Sequence, residues 1–237
     1  MKIELLDGTT EHPLQTIGYR AGVCWNSPVD DAEKNITRAK GCIKSGHGRV
    51  MEYVDIELVL DESSARMMRE IYTHIAGVTR LQSSTRYVSE IDGFGYYIPP
   101  KIAANETDLN VFEETMENIQ QGYNKLIHAG VAKEDAANVL PLGMESKMVW
   151  KINLRSLINF MNQRLCTRAL KEIRDFANEL KKQLSAKNDE WKWIADSLFV
   201  PKCEVYKYLN PALVFCPEAQ CCGRHKKIVD IEEIKYK

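Results

Sequence analysis

The densest run of chemistry-bearing side chains is Thr79-Arg80-Leu81-Gln82-Ser83-Ser84-Thr85-Arg86-Tyr87. Arg80 and Arg86 bracket the hydroxyls of Ser83, Ser84 and Thr85. Guanidinium forks match phosphate oxygens two at a time, and hydroxyls with adjacent backbone N–H groups complete an anion cradle. Gln82 adds an amide that both donates and accepts, which is what reading a pyrimidine edge requires. The plain alternative is a solvated polar loop. A second concentration lies near the C-terminus, where Cys203, Cys216, Cys221, Cys222 and His225 fall close together. Cys203, Cys216, Cys221 and His225 are the soft donors of a closed tetrahedral zinc site, and such a metal would staple a segment that lacks a core. No Cys-x-x-Cys pair is present, so reduced, unliganded thiols fit the spacing as well.

Several other chemistries lack their motifs. There is no Gly-x-x-x-x-Gly-Lys loop, no His-Glu-x-x-His and no Gly-x-Ser-x-Gly elbow. Gly93-Phe94-Gly95 lacks the third glycine of a dinucleotide fingerprint. Phosphate binding therefore falls to arginines and hydroxyls.

The elements that must position these groups follow from apolar spacing. Ala32, Ile36, Ala39 and Ile43 predict a helix over 30–44, stopped by Gly46-His47-Gly48. Alternation from Val54 to Leu60 predicts a half-buried strand. Asp61 and Ser63 are its following caps, and a helix with Met68, Tyr72 and Ile75 ends near Gly77. Residues 79–90 read as an irregular polar stretch. A long helix spans 105–129 with Gly130 beyond its end, a short one spans 133–140, and Pro141 stops it. Alternating Met148, Trp150, Ile152 and Leu154 predict a second strand; a single long helix is expected over 155–184 and another over 190–198. The expected fold is α+β: long helices packed on a small, mostly antiparallel sheet, with residues 1–200 as one domain and 201–237 as a cysteine-rich appendix.

Thirty-two basic residues against 33 acidic ones leave a net charge of −1, which excludes global attraction to nucleic acid or an anionic membrane. Acidic residues interrupt the N-terminal apolar stretch, so no signal peptide is expected. Seven cysteines, an odd number, argue against a disulfide framework. A soluble, cytoplasmic protein is expected, with no membrane and no nucleic acid polymer as partner.

Four ordered blocks then resemble the flavin-dependent thymidylate synthase family. They are Gly46-His47 with Glu52; Thr73-His74-Ile75 through Tyr87 with Tyr96-Tyr97-Ile98-Pro99; Val139-Leu140-Pro141-Leu142; and Asn153-Leu154-Arg155-Ser156-Leu157 with Asn159-Phe160 and Arg164. The resemblance covers roughly residues 15–200. It implies a homotetramer whose active sites are shared between subunits and hold FAD, dUMP and folate. It implies that NADPH or NADH reduces the flavin, that 5,10-methylenetetrahydrofolate supplies the carbon, and that no cysteine attacks the pyrimidine. The implied dUMP contacts are Glu70, Gln82, Ser83, Ser84, Thr85, Arg86 and Arg164, with Ser84 and Arg86 at the phosphate. Arg164, the implied catalytic residue, would favour the ionised uracil, since a fixed cation stabilises negative charge as it develops. The implied FAD contacts are Arg49, Glu52, Thr73, His74, Ile75, Asn153, Arg155 and Asn159.

The sequence departs from the family where the usual signature reads Arg-His-Arg, seven residues, then Ser. Here Thr73 and Ile75 replace both arginines, and eight residues separate Ile75 from Ser84. An arginine usual before Leu140 is also missing, Ala137 and Asn138 standing there. This charge placement points to a divergent subgroup of phage or clostridial type, in a host cell's cytoplasm if phage-encoded. Arg69 or Arg80 is the expected replacement charge. Besides dTMP synthesis, the residues admit two further outcomes: hydroxymethylation of a pyrimidine nucleotide, or a non-catalytic nucleotide-binding protein that has lost flavin.

Overall fold

A computed structural model describes residues 1–228. In chain order it contains β1 (Lys2–Leu5), α1 (Pro13–Cys24), α2 (Ala32–Lys44), a 3-10 segment (Gly48–Tyr53), β2 (Asp55–Ser64), α3 (Ala65–Tyr72), β3 (Val78–Gln82), α4 (Pro100–Ala103), α5 (Glu106–His128), α6 (Lys133–Ala136), β4 (Glu145–Asn153), α7 (Leu154–Arg164), α8 (Lys171–Lys187) and α9 (Asp189–Leu198). The strands form a four-stranded sheet in the order β1-β2-β4-β3. Val54 O accepts from Leu154 N–H and Met144 O from Ala65 N–H, so β2 and β4 run in opposite directions. Lys147 O accepting from Ser83 N–H, and Gly77 O from Asn153 N–H, give the same sense for β3 and β4. The expected α+β class with a small antiparallel sheet is thus the observed one.

The chain divides into two compact units. Of the described residues, one comprises 1–4, 58–73 and 79–150; the other comprises 5–57, 74–78 and 151–228. In the first, Leu58 and Leu60 of β2 are fully buried, as are Met67 and Ile71 of α3, Tyr123 of α5 and Trp150 of β4. In the second, Ile17 of α1, Phe160 of α7, Phe176 and Leu180 of α8 and Trp191 of α9 make the core.

Local chemistry explains most boundaries. Asp31 and Asn105 accept from Lys34 N–H and Asp108 N–H, capping α2 and α5. Gly130, at φ +82°, ends α5 in the left-handed conformation that glycine adopts without strain. The cap of α3 is Ser64, whose Oγ accepts from Met67 N–H at 3.0 Å, because β2 continues past the expected caps Asp61 and Ser63.

Further expectations need correction, the first being that α3 stops at Tyr72 rather than near Gly77 and leaves Ile75 outside it. The single helix over 155–184 is two helices, α7 and α8, separated by a turn over 165–170. Continued from Leu157, Met161 and Leu165, the buried stripe of one straight helix would reach Arg168 next, and burying that charge is costly. The break instead lets Arg168 approach Glu218 at 3.8 Å. Residues 78–82, expected to be irregular, form β3: Val78, Arg80 and Gln82 are half-buried, while Thr79 and Leu81 are exposed, a two-residue alternation masked by its polar side chains. Helix α1 was not anticipated, although Pro13 stands at its first turn and Leu14, Ile17 and Ala21 are buried along one side.

Helix α1 has no side-chain cap of its own. Buried Glu190 of α9 supplies one: its Oε2 accepts from Leu14 N–H at 2.7 Å and Gln15 N–H at 3.0 Å, and its Oε1 accepts from Gln15 Nε2 at 2.6 Å. Glu190→Ala strands these donors away from water. The expected cost is about 2–4 kcal/mol, read as a lowered urea midpoint at unchanged slope; Glu190→Gln, which keeps acceptor oxygen, should lose less than half as much.

Candidate functional site

Within the second unit, the histidine of the signature and the arginine of α7 meet. Arg164 Nε donates to His74 Nε2 at 3.1 Å. That contact makes Nε2 an acceptor and places the ring proton on Nδ1. His74 is buried and packs edge-on against Phe160, with ring centroids 4.9 Å apart, and Phe160 packs on Phe176 at 5.8 Å. A neutral, core-anchored imidazole thus fixes the plane of a guanidinium on the last turn of α7.

The start of α7 is equally constrained. Asn153 Oδ1 caps the helix by accepting from Ser156 N–H at 2.9 Å, and Asn153 N–H donates to Gly77 O at 2.9 Å. Gly77 has φ +63°, and a side chain there would meet Asn153 Nδ2 at 2.1 Å and Ser156 Oγ at 2.6 Å. The segment that delivers His74 is therefore locked to the residue that starts α7. Two residues after Asn153, Arg155 Nη1 donates to Glu52 Oε1 at 2.6 Å. Asn159 lies on the exposed face and accepts from Gln163 Nε2 at 3.2 Å.

Arg155 also lines a cleft of 920 Å³ built from the C-terminal half of α1, Cys42 of α2 and the 3-10 segment. Arg49 and His47 line it too, as do the exposed rings of Tyr19, Trp25 and Tyr53. Arg20 lies over the Tyr53 ring at 5.3 Å. Flat aromatic walls with guanidinium groups at the rim fit a ligand that carries both an aromatic ring system and phosphates. FAD is such a ligand, and Arg49, Arg155 and the three rings are the side chains that would hold it. Burial pushes the Cys42 thiol up from its ordinary value, so this cysteine is no ready nucleophile. The aromatic wall was not anticipated from the sequence; its signal was the Leu14, Ile17, Ala21 spacing, which places Tyr19 and Val23 on the opposite side of α1.

The first unit holds the hydroxyl-rich segment. Gln82 Nε2 donates to Ser146 Oγ at 3.0 Å, and Ser83 N–H extends the sheet by donating to Lys147 O at 2.8 Å. A turn follows at Thr85, in which Tyr87 and Val88 N–H donate to Ser84 O. Arg86 N–H faces Ser84 Oγ at 3.4 Å, and Arg86 Nε pairs with Glu134 at 2.8 Å. Both members of that ion pair are exposed, so it contributes at most about 1 kcal/mol, and an incoming phosphate can take the place of the carboxylate. Arg80 stacks on the Tyr72 ring at 4.1 Å, and Arg69 is exposed on the last turn of α3. Glu70 is half-buried on α3; its carbonyl accepts from Thr73 Oγ1 at 2.7 Å. Ile75, in the second unit, is 77% exposed.

In the C-terminal stretch, Cys203 and His225 lie together with Glu204, and Cys216 and Cys221 line a small cavity with them.

The sequence model described as "Thymidylate synthase complementing protein" matches residues 4–188. The "Flavin-dependent thymidylate synthase" of Clostridium tetani is 32% identical over 252 aligned residues, spanning 94% of each chain. That of Geobacter sulfurreducens is 32% identical over 189, covering 76% of this chain and 80% of its own length. Among solved structures, the fold is shared with a UMP/dUMP methylase, PolB of Streptomyces cacaoi, at a TM-score of 0.71 and 16% identity, covering 84% of this chain and 96% of the other. By sequence match over most of its length, the chain belongs to the flavin-dependent thymidylate synthase family.

Proposed function

We propose that the protein methylates dUMP to dTMP, using 5,10-methylenetetrahydrofolate as carbon donor and FAD reduced by NADPH or NADH, with release of tetrahydrofolate. The observation that carries this reading is the Arg164–His74 pair: a cation of fixed orientation on rigid backbone, in a family named for this reaction. The Streptomyces cacaoi structure of the same fold holds 5-bromo-dUMP, which supports a pyrimidine nucleotide as ligand.

In this reading Ser84 and Arg86 take the dUMP phosphate, with Ser83 and Thr85 beside them. Gln82 and Glu70 address the sugar and base, and Arg80, on the same face of β3 as Gln82, supplies charge that Thr73 and Ile75 do not. Arg164 stabilises negative charge on the uracil ring as it becomes nucleophilic. Arg49, Glu52, Arg155, Asn153 and Asn159 hold FAD, with the 73–75 backbone alongside. Bound FAD supplies the hydride that completes the methyl group. Tyr87, Ile75 and Leu81 are 77%, 77% and 75% exposed; apolar side chains so open favour burial against a further copy of the chain, consistent with a homotetramer whose sites are shared. No helix among the described residues is long and apolar enough to cross a membrane.

The test is anaerobic. The purified protein should carry the absorption bands of oxidised flavin, NADPH should bleach them, and dUMP with methylenetetrahydrofolate should then yield dTMP by mass spectrometry. A hydroxymethyl product would replace the proposed reaction with hydroxymethylation. A colourless protein that takes up no FAD would make it a nucleotide-binding relative without catalysis.

A further inference from the structure

Residues 201–228 carry few groups that could form a core: Tyr206, Leu209 and Leu213 are exposed, and Cys216 is their one buried apolar side chain after Pro201. What converges instead is metal-ligating. One atom each of Cys203, Glu204 and His225 lies within 4.8 Å of the other two. Cys203 and His225 share a small cavity with Cys216 and Cys221. Cys216 and Cys221 are hydrogen-bonded thiol to thiol, and the Cys221 thiol donates to His225 O at 3.1 Å.

The backbone holds these positions together over wide sequence gaps. Phe215 N–H donates to Cys203 O at 3.1 Å, and Cys216 N–H donates to Lys226 O at 2.8 Å. Around the thiols the chain makes a repeated turn in which the N–H two residues on points at sulfur: Glu218 to Cys216, and Gly223 to Cys221 at 3.3 Å. Gly223 has φ +88°, which makes its turn available without strain. An N–H aimed at sulfur stabilises charge on it, the condition of a metal-bound thiolate.

Glu204 completes the arrangement without being a ligand. Its Oε1 lies 3.1 Å from His225 Nε2, which orients the ring and leaves Nδ1 for a metal. Lys207 at 3.6 Å and Arg224 at 3.7 Å balance the same carboxylate.

We propose that Cys203, Cys216, Cys221 and His225 bind one structural Zn²⁺. Three thiolates, one imidazole and a filled tetrahedron leave no open position for catalysis. Binding displaces three thiol protons to solvent and leaves a net charge of −1, which Lys202, Arg168 and Arg224 at the cavity wall offset. Cys166 and Arg168 place the turn after α7 on that same wall. The metal therefore ties the tail to itself beside the turn that begins directly after Arg164.

The experiment uses the untagged full chain purified without chelator. Elemental analysis should find about one zinc per chain, released in step with thiol titration by an organomercurial. Replacement by Co²⁺ should give the intense visible bands and thiolate charge-transfer absorption of a tetrahedral sulfur-rich site. Cys216→Ser and Cys221→Ser should each lower zinc more than tenfold, while Cys24→Ser and Cys222→Ser should retain it. Wild-type protein that is folded by circular dichroism yet holds less than a tenth of that zinc overturns the proposal, as does full zinc retention in the Cys216→Ser, Cys221→Ser double variant. Neither outcome depends on turnover, so it leaves the proposed reaction untouched.

Discussion

Arg164→Ala is expected to lower dTMP formation about 10²–10³-fold, the range seen when a preorganised donor to developing negative charge is removed. The loss should fall on kcat more than on KM for dUMP, because the interaction strengthens as the ring gains charge. Arg164→Lys should restore little. Its ammonium has no planar fork and cannot both donate to His74 Nε2 and present a second N–H in the same plane. His74→Leu then separates positioning from chemistry. It removes the acceptor at 3.1 Å but keeps an apolar group against Phe160, so kcat should fall by about tenfold while flavin content stays near wild type. Steady-state kinetics with quantified flavin decide this. An Arg164→Ala enzyme within threefold of wild-type kcat would remove Arg164 from the chemistry.

The second large effect is structural, and it arises at Gly77. Any Cβ there combines a left-handed backbone with a 2.1 Å approach to Asn153 Nδ2. Strain and displacement together should cost Gly77→Ala about 2–4 kcal/mol, or roughly 4–16 °C in Tm for a chain of this size. Asn153 must move, so the cap of α7 weakens and flavin retention should drop with stability. Gly46→Ala is the control: Gly46 also has positive φ, at +78°, yet nothing lies within 4 Å of the added carbon. It should show the backbone strain alone, about 1 kcal/mol. Equal melting temperatures for the two variants would show that the contact with Asn153 carries no energy.

The sequence alone determined what depends on neighbours along the chain. Apolar spacing located α2, α5 and α9, the alternation of Val54 to Leu60 and of Met148 to Ile152 located β2 and β4, and Asn105 and Gly130 bounded α5. Four ordered blocks of residue types, from Gly46 to Arg164, also carry the resemblance to the family, because side-chain chemistry at a reactive site tolerates few substitutes.

Only the tertiary structure decided where those groups act. Nothing in the run Thr79 to Tyr87 marks β3, since a strand that reads Val-Thr-Arg-Leu-Gln has no hydrophobic alternation to detect, and its order comes from pairing with β4 some 65 residues away in the chain. The break between α7 and α8 likewise depends on which face is buried, a fact of packing rather than of propensity. The cap of α1 comes from Glu190, the partner of Arg164 from His74, and the neighbours of Cys203 from the region around residues 215–225. Each is a hydrogen bond or close approach between residues far apart in sequence. Such contacts leave no periodic trace, because the distance that matters is set only once the chain has folded back on itself.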